Sequence, residues 1–119
     1  MIVVGAWLDF HDQASRDAAV VASAPVQLAT REQEAGCHFY CFAADPCNPV
    51  RIQVYELWED EKSLVDHFSH PNYMQMRETL RSFGLAGAWN RAYLAVAEEP
   101  VYGPDATIKT KFFADYSAG

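Results

Sequence analysis

Long apolar runs, paired cysteines and basic residues are all scarce in this sequence, and each shortage argues against a class of protein. No apolar run is long enough to cross a bilayer, which argues against a membrane-spanning helix. The nine Lys and Arg residues are outnumbered by 16 Asp and Glu residues, giving a net charge of -7. Nucleic acids and anionic membrane surfaces attract basic patches, so we expect neither as a partner.

The three cysteines, Cys37, Cys41 and Cys47, are an odd number, which argues against a closed disulfide framework. Cys37 and Cys41 fall on one predicted strand, where their Cα atoms would stand about 13 Å apart, too far for a disulfide. We therefore expect the three cysteines to be small buried hydrophobic residues of a protein in a reducing compartment. The start of the chain has no basic stretch of the kind that opens a signal peptide, so the predicted location is cytoplasmic.

Apolar residues, in contrast, are plentiful. They make up 50% of the chain, and 13% of its residues are aromatic, so a packed core is expected. The length of 119 residues fits one compact domain. We predict a single domain over residues 1–119, with a core over about residues 1–99 and a C-terminal extension over residues 100–119.

Hydrophobic periodicity predicts the element order βαββαβ. The first strand covers residues 2–10, and Asp12 is placed to cap a helix that reaches residue 34. Pro25 is expected to break or kink this helix. The apolar side of the helix is predicted from residues at helical spacing, which are Ala14, Ala18, Val21 and Leu28.

Two strands at residues 37–44 and 50–58 follow, and the turn between them predicts a hairpin. Asp60 is expected to cap a second helix, and Pro71 to close it. The spacing of Asn72 and Gln75 then predicts a capping box at the start of a third helix.

A fourth strand is predicted over residues 87–98, with a short extra strand over residues 107–113. The fold class is therefore α+β, in the ferredoxin-like arrangement of an antiparallel sheet with helices on one face. The opposite sheet face would expose Trp7, Trp89 and Tyr93 in a monomer. Large exposed apolar patches usually mark interfaces, so we predict a two-fold dimer with its sheets face to face.

Glu56 is the most informative residue, because it interrupts the apolar face of the third strand. That face is otherwise made by Val50, Ile52, Val54 and Trp58. A carboxylate there must be paired, take up a proton or lie next to a cavity, since burying a bare charge is too costly. The alternative is a carboxylate bonded to backbone at a strand end.

Three further residues suit a site, each with a structural alternative. His67 lies near the edge of its helix's apolar side and is either a proton acceptor or a partly buried histidine bonded to backbone. Tyr73 either donates a proton or packs in the core, and Trp58 either stacks on a planar substrate or is a core tryptophan. His70 is three residues from His67, but no third ligand is evident, so no metal site is predicted.

Several short segments resemble the antibiotic biosynthesis monooxygenase family of dimeric α+β barrels. The resemblance covers residues 36–80 and is carried by Asp45-Pro46, by Glu56-Leu57-Trp58-Glu59-Asp60, by His67 and by His70-Pro71-Asn72-Tyr73. It implies cofactor-free oxygenation of aromatic polyketides or quinols, haem degradation, or isomerisation of a phosphorylated signal. It further implies His67, Glu56 and Tyr73 as catalytic residues, and as substrate-binding residues Trp58, Tyr40, Asn72 and Phe68.

Departures from the family pattern separate these activities. The Trp and His positions of the haem-degrading members are His67 and Arg77 here, which argues against haem degradation. The polyketide-type partners of Trp58 are replaced by Val54 and Leu64. Residues 55–73 resemble the signal-isomerase and quinol branches more closely.

Three functions are therefore carried forward. The first is a cofactor-independent monooxygenase that uses molecular oxygen on a small aromatic or quinol-like substrate. The second is an isomerase of a small oxygenated metabolite, and the third is a non-catalytic ligand-binding or stress-response dimer. The chain has no GxGxxG motif, so no dinucleotide cofactor is predicted, and the expected cofactor set is empty.

Overall fold

Residues 1–116 are described in a computed structural model of the protein, and the last three residues of the predicted extension lie outside this range. The elements follow the predicted order, with a short 3-10 turn (Pro104–Ala106) in the extension. They are β1 (Ile2–Phe10), α1 (Gln13–Gln33), β2 (Cys37–Ala44), β3 (Arg51–Trp58), α2 (Glu61–Phe68), α3 (Pro71–Ser82) and β4 (Leu85–Leu94).

The strands form one antiparallel sheet of four strands in the order β2-β3-β1-β4. The predicted ferredoxin-like α+β fold is therefore confirmed. In the register, Val4 of β1 lies opposite Glu56 of β3 and Ala92 of β4. A shift of one residue in the pairing of a strand would turn all of its side chains to the other sheet face. This register therefore fixes which side chains meet the helices.

The core lies between the sheet and the helices, and β3 supplies its centre. Ile52, Val54, Glu56 and Trp58 are buried while Gln53 and Tyr55 are exposed, as the alternating sequence predicted. The helices contribute Ala19 and Val26 from α1 and Met76 and Leu80 from α3.

The buried side of α1 differs from the predicted one. Val21 and Leu28 are 75% and 54% exposed, and Ala14 is exposed as well. The buried residues are Arg16, Ala19, Ser23, Val26, Gln27 and Thr30. The prediction failed because it followed apolar spacing, whereas much of this face is polar, and Arg16 and Gln27 on it bond backbone groups that are distant in sequence.

Gln27 shows how a polar side chain can face the core. Its amide nitrogen donates to the Phe42 carbonyl at 3.1 Å, and its amide oxygen accepts from the Phe42 N–H at 2.9 Å. β2 is an edge strand, so these bonds satisfy backbone groups that no neighbouring strand reaches. Burial of Gln27 is therefore compensated by hydrogen bonds.

Pro25 does not break α1, which runs through it as one helix. A proline inside a helix removes the hydrogen bond to the carbonyl four residues earlier, here that of Val21. Val21 is on the exposed side of α1, so water can replace the lost partner. The predicted cap at Asp12 is confirmed, since its carboxylate accepts from the Ser15 N–H at 2.7 Å.

The boundary between α2 and α3 corrects two predictions. Asp60 caps α2 as predicted, but Asn72 is not the cap of α3. The cap is His70, whose Nδ1 accepts from the Asn72 N–H at 3.0 Å. Pro71 stands in the first turn of α3 rather than closing α2, a position that suits its fixed φ and missing N–H.

The end of the chain also differs from prediction. β4 covers Leu85–Leu94 rather than residues 87–98, and Gly84 before it has a φ of 86°, which favours glycine. The expected strand over residues 107–113 is reduced to one bridge between Tyr102 and Ile108.

The cysteines are free thiols, but they are not core residues. Cys37 is partly buried, and burial raises its pKa to about 11, so its thiol stays protonated. Cys41 and Cys47 are exposed, so the expectation of small buried hydrophobic residues is wrong for both. Cys41 lies on the face of β2 that points away from the helices. Within residues 1–116, no helix is long and apolar enough to cross a membrane.

Candidate functional site

A cavity of about 480 Å³ lies between the sheet and the helices α2 and α3. Its wall is largely apolar and comes from all four strands as well as from both helices. Five of the seven predicted site residues line it, namely Tyr40, Glu56, His67, Phe68 and Tyr73. Trp58 and Asn72 stand behind this lining rather than in it. A largely apolar cavity with a few polar groups is the usual form of a small-molecule site.

Glu56 is buried on the cavity side of β3, with 8% of its surface exposed. The Trp58 indole N–H donates to its Oε1 at 2.9 Å. Burial raises the pKa of Glu56 to about 7, an effect that the indole hydrogen bond opposes and the Glu34 carboxylate adds to. Its hydrogen-bond partner is a side chain, so the alternative of a carboxylate bonded to backbone is wrong. Because its pKa is about 7, Glu56 can exchange a proton near neutral pH.

His67 is buried at the centre of the site, with Nδ1 2.7 Å from Oε1 of Glu34. A carboxylate only accepts hydrogen bonds, so the shared proton belongs to Nδ1 and the lone pair to Nε2. Burial lowers the pKa of His67 below its usual value, although the hydrogen bond to Glu34 acts in the opposite direction. The ring is therefore neutral near pH 7 and can accept a proton.

Aromatic rings enclose the His67 imidazole. The centroid of the Trp58 ring lies 4.6 Å from that of His67, and those of Tyr40 and Tyr73 each lie 5.5 Å from it. Trp58 thereby contacts two site residues from behind the wall, since its indole also bonds Glu56. Phe68 packs edge-on against Tyr73 at 5.0 Å and is 51% exposed. These contacts leave the imidazole little freedom to turn.

Glu34 is a site residue that the sequence did not reveal. Its side chain is 8% exposed and hydrogen-bonds two groups from two other helices, the His67 imidazole and the Asn72 amide. The Asn72 amide donates to its Oε2 at 3.2 Å and to Oε1 of Gln33 at 3.3 Å. Glu34 ends a charged stretch at the end of α1, so its sequence context resembles a solvated surface. Its burial comes from the packing of α1 against α3.

Arginines at the exposed part of the cavity were also missed. Arg77, Arg81 and Arg91 line the cavity and are themselves exposed. Tyr73, Arg77 and Arg81 follow one another at four-residue intervals on α3, which places them on the same side of the helix. That spacing was a usable signal, because Tyr73 was already a candidate.

Within residues 1–116, no group of three His, Cys, Asp or Glu side chains has the arrangement of a metal site. The fold and the cavity instead define a class, which is a small ferredoxin-like domain with a largely apolar cavity between its sheet and its helices. The model of the antibiotic biosynthesis monooxygenase family matches residues 1–79. The chain belongs to this family.

Solved structures give the same fold. A candidate antibiotic biosynthesis monooxygenase from Deinococcus radiodurans is 23% identical, with a TM-score of 0.71, covering 87% of this chain and 100% of its own. A protein described in the same way from Caulobacter crescentus is 17% identical, with a TM-score of 0.73, covering 81% of this chain and 90% of its own. At these identities the likeness shows the fold alone. A comparison with curated proteins gave no match.

Proposed function

We propose that the protein is a cofactor-independent monooxygenase that acts on a small aromatic or quinol-like substrate in this cavity. One observation carries the proposal. A buried, neutral imidazole oriented by a carboxylate lines the same cavity as a carboxyl group whose pKa is about 7. Such groups can remove and return protons near neutral pH, which is the protein's part in cofactor-free oxygenation.

In the proposed reaction, His67 takes a proton from a phenol or enol hydroxyl of the substrate. The resulting anion gives electrons to O₂, and a C–O bond forms at the neighbouring ring or enol carbon to give a peroxide. The peroxide takes up a proton from Glu56 or Tyr73. The O–O bond then breaks as that carbon loses its remaining hydrogen, leaving one oxygen atom as a carbonyl and the other as water.

The surrounding residues position the groups that react. Glu34 holds the Nδ1 proton of His67, and Asn72 holds Glu34, so Asn72 acts through two hydrogen bonds rather than on the substrate. Trp58 restrains His67 and Glu56 together. Tyr40 and Phe68 line the cavity, where their rings can flank a planar substrate and exclude water.

We further propose that the active unit is a homodimer. Phe39, Tyr55, Trp89 and Tyr93 are exposed on the sheet face away from the helices. Phe39 and Tyr55 are neighbours there, with ring centroids 5.5 Å apart. A second copy packed on this face would remove these rings from water and leave the cavity, on the other face, open to substrate.

Oxygen uptake with a panel of hydroquinones and anthrones tests the proposal. We expect uptake that depends on enzyme and substrate, with one oxygen atom from ¹⁸O₂ in the product and no added cofactor. Solvent-deuterium exchange into a substrate without oxygen uptake would instead indicate the isomerase. Absence of both activities across the panel would favour a binding protein.

A further inference from the structure

We propose that the substrate carries an anionic group, a carboxylate or a phosphate, which Arg77 and Arg81 bind at the exposed part of the cavity. The inference rests on the proposed function for the identity of the reacting end, and it adds the chemistry of the opposite end. The buried part of the cavity holds Glu56 and His67, and its exposed part holds the arginines. The substrate would therefore be an oxidisable aromatic or enolic acid.

The two arginines lie on the same side of α3. Arg77 and Arg81 are four residues apart on α3, about 6 Å along the helix axis, and both line the cavity. Tyr73, one turn before Arg77, lines it as well. One side of α3 therefore leads from the proposed proton donor to two guanidinium groups, and a ligand lying along it would meet both.

Arg77 and Arg81 also differ from the other arginines, each of which bonds a protein group within residues 1–116. Arg16 donates to the carbonyls of Asn48 and Arg51, at 3.1 and 2.9 Å. Arg31 donates to the Tyr40 carbonyl at 2.7 Å. Arg51 makes two bonds to Asp9, at 2.8 and 3.0 Å.

Arg91, the third arginine at the cavity, bonds the Asn90 carbonyl at 2.7 Å and lies over Trp89. Arg77 and Arg81, by contrast, make no side-chain hydrogen bond or ion pair with any of residues 1–116. Two of the six arginines thus have unused donors, and both line the cavity.

The positive charge of the two arginines also favours an anionic ligand. The chain carries a net charge of -7, yet the exposed part of this cavity is cationic. Two like charges one turn apart on a helix repel each other when nothing neutralises them. A carboxylate or phosphate between them would remove this repulsion, and guanidinium groups bind such anions through paired hydrogen bonds.

Anaerobic calorimetry with matched probes tests the proposal without requiring turnover. The carboxylate pair is 1,4-dihydroxy-2-naphthoate and 1,4-dihydroxynaphthalene, and the phosphate pair is 1-naphthyl phosphate and 1-naphthol. We expect each acid to bind more tightly than its neutral partner. The more strongly favoured acid identifies carboxylate or phosphate as the preferred group.

Variants connect that preference to the two arginines. Arg77→Gln and Arg81→Gln together should weaken acid binding by about tenfold or more, because each removes a charge-assisted contact, and should leave neutral probes unchanged. Lys111→Gln removes one positive charge from the exposed extension, away from the cavity, and should change the binding of neither the acids nor the neutral probes. Both arginines are exposed, so the double variant should keep its melting temperature.

Equal binding of acid and neutral probes would overturn the proposal, as would acid binding that the double variant leaves unchanged. Failure of both acids to bind at millimolar concentration would overturn it too. Oxygen uptake is scored separately. Selective acid binding without oxygen uptake would support the anion site and contradict the monooxygenase. Oxygen uptake with neutral quinols that does not change in the double variant would support the monooxygenase and contradict the anion site.

Discussion

Glu34 and His67 make the central contact of the site at the scale of single residues. The carboxylate fixes the imidazole proton on Nδ1 and would stabilise the imidazolium that forms when Nε2 accepts a proton. An amide in place of Glu34 keeps a hydrogen-bond acceptor for Nδ1 but has no charge. The role of Glu34 is therefore separable from its packing.

We predict that Glu34→Gln lowers kcat by about tenfold or more, since the imidazolium loses its counter-ion. The pKa of His67 should fall further, so the acidic limb of the pH–rate profile should move to lower pH. Measurement of kcat against pH checks this. Glu32→Gln, an exposed neighbour on α1, is the control. An unshifted acidic limb would mean that Glu34 has only a structural role.

Glu56 makes a second residue-scale prediction, on stability. Its pKa in the folded state is about 7, against an ordinary 4.5, so the folded protein keeps a proton that the unfolded chain releases. The stabilising contribution is present below about pH 4.5 and is lost as pH rises to about 7, a change on the order of 3 kcal/mol. His67 acts oppositely, because its lowered pKa costs stability as pH falls below its usual value.

Glu56→Gln cannot ionise, so its free energy of unfolding relative to the wild type should rise between about pH 4.5 and about pH 7. Urea denaturation at several pH values measures the difference. Glu78→Gln, which changes an exposed residue of α3, should follow the wild-type curve. Parallel curves for Glu56→Gln and the wild type would show that Glu56 is not protonated by burial.

At the scale of elements, the contact between α1 and the edge strand β2 is the least expected feature. Gln27 makes two hydrogen bonds with the Phe42 backbone inside the core. Gln27→Leu would leave a buried N–H and a buried C=O unsatisfied, which we predict lowers the free energy of unfolding by roughly 2–4 kcal/mol. Leu28→Ala, next along the helix and exposed, should cost less than about 0.5 kcal/mol.

Urea denaturation of both variants gives these values. Equal losses for Gln27→Leu and Leu28→Ala would mean that water reaches the Phe42 backbone. A larger loss for Leu28→Ala would mean that the buried side of α1 is the one its apolar spacing predicted.

Local patterns predicted the elements better than their contacts. The alternation of β3 predicted both its buried face and the position of Glu56, because a strand places every second residue on one side. The caps at Asp12 and Asp60 were predictable because capping is a local hydrogen bond. The buried side of α1 was not, because Gln27 and Arg16 are buried only through bonds to distant backbone.

The residues of the candidate site also divide into those that the local sequence predicts and those that are buried by contacts distant in sequence. The cavity position of Glu56 was predictable because it interrupts the apolar face of its own strand, whereas that of His67 was predicted mainly from the resemblance to the family. Glu34 was not predictable, since its burial depends on residues more than 30 positions away, at His67 and Asn72. The prediction that Asn72 caps α3 was wrong, and its role as a substrate contact stays a prediction; in the structure its amide bonds Glu34.

At the scale of the whole molecule, one sheet face is covered by helices and the other is largely exposed. The C-terminal extension reaches part of the exposed face. Phe113 lines a second cavity there with Tyr55 and Leu57, and its N–H donates to Glu99 at 2.8 Å. Ile108 is 86% exposed, so this part of the extension does not pack on the domain.

We predict a stable dimer in sedimentation velocity at micromolar concentration, formed through this face. Tyr93→Glu would place a charge in the interface and should shift the protein toward monomer. Val21→Glu adds the same charge on the outer side of α1, where 75% of the residue is exposed, and should leave the dimer intact. A wild-type monomer, or a dimer that Val21→Glu disrupts and Tyr93→Glu does not, would contradict this interface.

The central claim is that His67 is the base of an oxygen-consuming reaction in the cavity. Its most direct test is the rate of oxygen uptake by His67→Ala and by the wild type at saturating substrate. We predict a loss on the order of 100-fold or more, with the fold retained, because general-base catalysis typically contributes that much. His38→Ala, a surface histidine paired with Glu59, should keep the wild-type rate. Undiminished uptake by His67→Ala would contradict the account.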